Sequence, residues 1–276
     1  MGNVFLIGSE QGAEPLITGL LGYGYNVHCC VFSDEAAEAA AAYGAKAHVV
    51  DATDLDQLNS VSEDVIRYGD ALDGMVLMPA RGLFGSVEEI DIAQAKIVFA
   101  NNVLLQIASI QCLAPIMRSN GRGGIILVRR RFQQRQRTMC AWNRVCDSAL
   151  SEAFNILREE IRHSGVSSDT VFVDADSQWF DGARQLRDDA AGHSPYYHNQ
   201  IEQQRQLLAE ASCDDDQFSD LVSRIDDALR SSGSGQKNRD LVQDTADNII
   251  EMPDLATRAN RAKVRDSLHE MLRWHK

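Results

Sequence analysis

The sequence has no tyrosine between Tyr68 and Tyr196, and no aspartate or glutamate from Ile92 to Cys146. No apolar run reaches the roughly 18 residues that cross a bilayer, so no membrane partner is expected. The opening Met-Gly-Asn-Val-Phe-Leu-Ile-Gly has no basic leading segment and reads as a strand rather than a signal peptide. Six cysteines (Cys29, Cys30, Cys112, Cys140, Cys146 and Cys213) show no metal-ligand spacing. Scattered thiols in such a chain read as reduced residues of a cytoplasmic protein. His163, His193, His198, His269 and His275 share no ligand spacing either, so no metal is expected and each reads as a surface or capping residue. Gly-x-Ser-x-Gly, His-Glu-x-x-His and Cys-x-x-Cys are missing. That removes the usual signatures of serine hydrolases, zinc proteases and thiol–disulfide exchange. There is no internal repeat.

What is present is acidic overall. Against 40 Asp+Glu stand 27 Lys+Arg, a formal net charge of -13. A field of that sign disfavours non-specific binding to nucleic acid or to anionic membranes. The sign is unevenly spread. Lys96, Arg118, Arg122, Arg129, Arg130, Arg131, Arg135, Arg137 and Arg144 give the acid-free stretch +9, which leaves -22 for the remainder.

Apolar runs alternate with helical patterns. Strands are expected over Asn3–Ile7, Asn26–Phe32, Ala47–Val50, Gly74–Met78, Gly124–Val128 and Thr170–Val173. Helices are expected over Glu14–Gly22, Asp34–Tyr43, Leu55–Tyr68, Asp91–Ser119 and Asn143–His163. That order reads as an α/β fold, a Rossmann-like doubly wound parallel sheet with helices on both faces. Residues 1–180 form this domain. Residues 181–276 are polar, with an acidic cluster at Asp214–Asp216 and a Ser/Gly-rich stretch at Ser231–Gly235. They read as a mostly helical lid and C-terminal extension of the same domain, with helices over Tyr197–Ala211, Phe218–Arg230 and Ala256–Trp274.

Gly8, Ser9 and Gly12 lie between the first strand and the first helix, where a dinucleotide's pyrophosphate would meet backbone N–H groups and a helix N-terminus. A third glycine is replaced by Glu14, and Glu10 lies in the turn itself. Carboxylates beside a pyrophosphate are unfavourable, so the alternative is that Gly8 and Gly12 only shape a tight turn.

Over roughly residues 3–180 the pattern resembles the short-chain dehydrogenase/reductase family, nearest its retinol and hydroxysteroid dehydrogenase branch. Gly8-x3-Gly12 resembles the family's glycine turn, and Val50-Asp51-Ala52-Thr53-Asp54 its segment after strand 3, whose first Asp contacts adenine. Gly82-Leu83-Phe84-Gly85-Ser86-Val87-Glu88-Glu89-Ile90 resembles the stretch after strand 4. Asn102, thirteen residues before Pro115, matches the Asn of the long helix. Leu157-Arg158-Glu159-Glu160-Ile161 matches the helix that carries the catalytic Lys near its start. The resemblance implies a cofactor site at Gly8, Ser9, Gly12 and Asp51 and, if a dinucleotide binds, NAD before NADP, since no Arg follows strand 2 and Asp34 and Glu35 lie nearby.

The same resemblance exposes a missing active site. Counted back from Leu157, Asp147 stands in the Lys place and Asn143 in the Tyr place, while Arg130 falls on or near the Ser place. Carbonyl reduction needs a proton donor, normally a Tyr whose pKa a neighbouring Lys lowers. Asn cannot donate that proton, and Asp would raise a phenol's pKa. Of the Ser-Tyr-Lys-Asn set only Asn102 remains, so no catalytic residue is assigned. Tyr196, Tyr197 and Asp176 are the candidate substitute acids.

Arg129, Arg130 and Arg131 directly follow the fifth expected strand, beside the cleft of such a fold. Three readings stay open: an interface with an acidic partner surface, an anion site for a phosphate, nucleotide or coenzyme-A tail, or a solvated loop. The helices Asp91–Ser119 and Asn143–His163 are those that pack against a second subunit in this family. The expectation is therefore a non-catalytic member acting as a structural or regulatory subunit, in a homo-oligomer or a heteromer with an active paralogue. No cofactor is expected to be held firmly, since the NAD(P) site is degenerate. The alternatives are an oxidoreductase with an atypical site, and a nucleotide or acyl-coenzyme-A sensor.

Overall fold

Alternation within the short apolar strands assigns their side chains to two cores. The computed structural model describes residues 2–8, 13–51, 54, 57–58, 60–61, 71–79, 81–131, 138–174, 195–210 and 215–232. Two compact units divide the chain, Met1–Gln236 and Lys237–Lys276. The second unit, with the helix expected over Ala256–Trp274, lies outside the described residues.

In the first unit the strands are β1 (Asn3–Ile7), β2 (Asn26–Val31), β3 (Lys46–Val49), β4 (Leu72–Leu77), β5 (Gly123–Arg131) and β6 (Val166–Asp174). The described helices are α1 (Ala13–Gly22), α2 (Asp34–Ala42), α3 (Ile92–Ser119), α4 (Ala141–Glu160), α5 (His198–Glu210) and α6 (Asp215–Ser232). Of the helix expected over Leu55–Tyr68, Gln57, Leu58, Ser60 and Val61 are described and helical. The strands form one parallel sheet in the order β3-β2-β1-β4-β5-β6. Successive strand residues point to opposite faces. Val4, Leu6, Val76, Ile126 and Val128 therefore join α1, α2 and α6 in one core, while Phe5, Ile7, Met75, Leu77, Ile125 and Leu127 join α3 and α4 in the other. This is the doubly wound α/β arrangement that the strand spacing implies.

Several boundaries shift by one to four residues from expectation, and two of the shifts lie at polar ends of the last two strands. The fifth strand was expected to stop at Val128, but β5 runs on through Arg131, and β6 begins at Val166 rather than Thr170. The extensions are polar, so apolarity could not reveal them. Backbone pairing did the extending: Arg129 lies opposite Phe172, Arg130 opposite Val173 and Arg131 opposite Asp174. The three arginines thus belong to the end of a strand and not to a loop after it.

α3 is, among the described residues, the one helix long and apolar enough by composition to cross a membrane. Its apolarity has another cause, because Leu105, Ala108, Leu113, Ala114 and Met117 are buried on the sheet. Asp91 caps its start by accepting the Ala93 N–H at 3.0 Å. A π segment, Ala100–Leu104, interrupts its middle.

α6 enters the core on the other face. Leu221, Val222, Ile225, Ala228 and Leu229 are buried there, and Val222 lies so close to Gly19 of α1 that a Cβ on Gly19 would sit 2.7 Å from Val222 Cγ2. A polar tie closes the same packing. The Tyr25 hydroxyl donates to Asp226 Oδ1 at 2.8 Å, and Arg230 Nε donates to both oxygens of the buried Asp226. Burial and the Asp226 carboxylate push the Tyr25 pKa up.

Two expected outcomes follow from this packing. Gly19→Ala loses about 1–3 kcal/mol in chemical denaturation, because the β-branched Val222 has few rotamers with which to step aside, and Val222→Ala restores part of it. Burial pushes the Cys29 thiol up to about 12 and raises Cys30 further. In native protein at pH 8, the buried thiols of Cys29, Cys30, Cys140 and Cys146 therefore stay unmodified by a reagent that labels them once the chain is denatured.

Candidate functional site

In this strand order the sheet is wound one way from β1 to β3 and the other way from β4 to β6, and the switch between β1 and β4, at the strands' carboxyl ends, is where such folds hold ligands. Gly8 leaves β1 at φ 93°, which a side chain rarely adopts. A Cβ there would lie 2.5 Å from Gln106 Nε2 and 2.6 Å from the Met78 carbonyl oxygen. The glycine is therefore required by the protein's own packing. Gln106 is fully buried under it; its Nε2 donates to the Asn101 carbonyl at 3.2 Å, and its Oε1 has no partner. Ser9 and Gly12 lie outside the described residues. Asp51 is exposed just past β3, and its N–H donates to Gln57 Oε1 at 2.8 Å. Glu14, in the first turn of α1, reaches the Tyr43 hydroxyl and raises its pKa.

Two carboxamides fasten the segment after β4. Asn102, in the π segment, accepts the Arg81 N–H at 3.1 Å through Oδ1 and donates to the Arg81 carbonyl at 2.6 Å through Nδ2. It pairs with that peptide as a neighbouring strand would. Asn143, in the first turn of α4, accepts the Leu83 N–H at 2.8 Å; its Nδ2 is buried without a partner. Gly85 then donates its N–H to the Met139 carbonyl at 2.9 Å, just before α4.

Asp147 lies one turn beyond Asn143 and is committed to Arg129. Arg129 Nη2 donates to Asp147 Oδ2 at 2.7 Å and Nε to Oδ1 at 3.2 Å, a bidentate pair whose side chains are 25% and 14% exposed. The guanidinium carbon also sits 5.3 Å from the Phe172 ring centroid, within cation–π range. Arg129 is thus held inside the protein by a carboxylate and a ring. Arg130 and Arg131 have their backbone in β5, and their side chains lie outside the described residues.

Asn102, Asn143, Asp147 and Arg129 therefore converge on the ends of β4 and β5, whereas Asp51 lies beyond β3 across the sheet. By the count of the family resemblance, a nicotinamide ribose would meet Asp147, tied to Arg129, in the lysine's place, and Asn143, bonded to Leu83, in the phenol's place. Tyr196 is 88% exposed. The Tyr197 hydroxyl is bonded to Glu88, which raises its pKa and makes it a poorer acid. Asp176 lies outside the described residues. Two features escaped sequence reading. Asp147 is the first acid after the basic stretch, which was a usable sign of its pairing with Arg129. Gln106 is a polar residue on the buried side of an apolar helix, a sign of a specific contact.

The family model described as Enoyl-(Acyl carrier protein) reductase matches residues 18–204. No curated protein matches the sequence significantly. Among solved structures, a short-chain dehydrogenase from Streptomyces avermitilis is 19% identical with TM-score 0.64, covering 100% of this chain and 98% of that one. NAD+-bound xylitol dehydrogenase is 16% identical with TM-score 0.68, covering 84% of this chain and 94% of that one. A metagenomic short-chain oxidoreductase in complex with NADP is 19% identical with TM-score 0.56, covering 64% and 83%.

The ion pair gives a direct test of the site. In a double-mutant cycle of Arg129→Ala and Asp147→Ala, followed by chemical denaturation, a coupling of about 1–3 kcal/mol is expected, as for hydrogen-bonded charges out of full solvent. The family match extends over more than half of the sequence, and the parallel six-stranded sheet and the solved relatives agree with it in fold: the chain belongs to the short-chain dehydrogenase/reductase family.

Proposed function

We propose that this chain works without hydride transfer, as a structural or regulatory cytoplasmic subunit in a homo-oligomer or a heteromer with an active short-chain dehydrogenase. One observation carries the reading: Asn143 and Asp147, where the family's Tyr and Lys would stand, are both engaged within the protein, the first by Leu83 and the second by Arg129. Neither can supply the proton that carbonyl reduction needs, nor lower the pKa of a phenol. The acidic net charge of -13 supports a protein partner over nucleic acid.

A partner surface is available on α3 and α4. Ile97 of α3 and Val145 and Ile156 of α4 are exposed. Val145 and Ile156 are eleven residues apart, three turns of helix, so they share one stripe. An apolar stripe facing water is the kind of surface that association covers. The reading predicts that Val145→Glu/Ile156→Glu shifts the particle to monomer in light scattering coupled to gel filtration, with the helical circular dichroism unchanged.

A second reading, an NAD(P)-dependent oxidoreductase with an atypical site, is favoured by the solved relatives that carry NAD+ or NADP and by the glycine kept at position 8. Purified chain decides between them. The proposal expects no NADH or NADPH consumption above background with a panel of aldehydes and ketones, and no calorimetric heat with either oxidised cofactor. Turnover at an ordinary enzymatic rate of about 1 s⁻¹ or more would establish the second reading and end the first.

A further inference from the structure

We infer that the first turn of α4 binds an oxyanion, the carboxylate or phosphate of a small ligand, with Asn143 Nδ2 and the Arg129 guanidinium as its donors. This goes beyond the proposed function and holds whether or not the chain transfers hydride.

One donor at the start of α4 is unmet. Asn143 is 4% exposed; its oxygen is used by Leu83, and its buried Nδ2 has no partner. A buried polar group left unpaired is costly, so native structures keep few of them, and a site awaiting a ligand is one of the explanations. The surroundings select the ligand's charge. Cys140 provides no side-chain cap for α4, and the helix has no acid in its first turn. Among the described residues, neither a side-chain cap nor a first-turn carboxylate meets the partial positive charge at the start of this twenty-residue helix, where Asn143 sits. Four residues on, and so on the same face, Asp147 fixes the Arg129 guanidinium through Nε and Nη2. A carboxamide donor and a preset guanidinium beside a helix N-terminus together suit a group with two or more negative oxygens. A lone carbonyl would use one donor and leave the others idle.

The experiment is isothermal titration calorimetry of the full chain with sodium succinate and, separately, sodium phosphate. Asn143→Asp is the test variant, because it keeps an oxygen for the Leu83 N–H and replaces the N–H donor by an acceptor. Wild type is expected to bind at least one probe, and the variant to bind that probe at least tenfold more weakly. Which probe binds tells carboxylate from phosphate. In wild type, the ¹⁵N-resolved side-chain amide resonances of Asn143 should shift as the bound fraction rises, a readout that needs no variant. Lack of binding by both probes, or amide resonances that stay still while a probe binds, overturns the proposal.

Discussion

A parallel sheet covered on both faces has no polar face to spare, and every chemical opportunity in this molecule follows from that constraint. From Val4 to Ile7, Met75 to Leu77 and Ile125 to Val128 the strands are closed to water on both sides. Polar groups can collect only where strands stop. The ends of β1, β4 and β5 accordingly hold a glycine pressed onto a glutamine, a peptide gripped by an asparagine and an arginine gripped by an aspartate. Each is satisfied mainly by the protein itself. The exceptions are Gln106 Oε1 and Asn143 Nδ2, both buried and unpartnered, and both on the helices that cover that end of the sheet.

Polar side chains are buried in α3 at its π segment. Ala100, Asn101, Asn102 and Val103 are four consecutive buried residues. A regular helix turns 100° per residue and would send one of four outward unless it were covered all round. This stretch is covered on more than one side, Ala100 in the sheet-side core and Val103 in a cluster with Leu83 and Cys146, while Asn102 reaches Arg81 and Asn101 Nδ2 donates to the Ile97 carbonyl at 3.0 Å. Such bulges often occur where a helix carries a functional polar group. Here the bulge provides the grip on the segment after β4.

Much of the fold was legible because burial writes itself into apolar spacing. β1, β2, α3 and α4 were placed to within a few residues, and the doubly wound order followed from them. Legibility failed where pairing rather than apolarity made the structure. Ser167, Ser168 and Asp169 gave no sign of strand, yet β5 holds them in register. The site was legible as a set of absences. The family resemblance counts Asn143 and Asp147 into the Tyr and Lys places, but nothing in the spacing said that Asp147 would meet Arg129, eighteen residues earlier in the chain and on another element. An ion pair between a strand end and a helix is a property of the packed layers, and local pattern cannot announce it.

That pair also constrains how the sequence can change. A lysine introduced at position 147 would face Arg129 across a half-buried space, and removing Arg129 first would strand a carboxylate there. Either single step passes through an unpaired or repelled charge. The two positions therefore exchange only together, and the Arg129–Asp147 bridge works as a ratchet: once the cation sits on the strand and the anion on the helix, the opposite arrangement lies across a barrier of stability, and drift is confined to sequences that keep both.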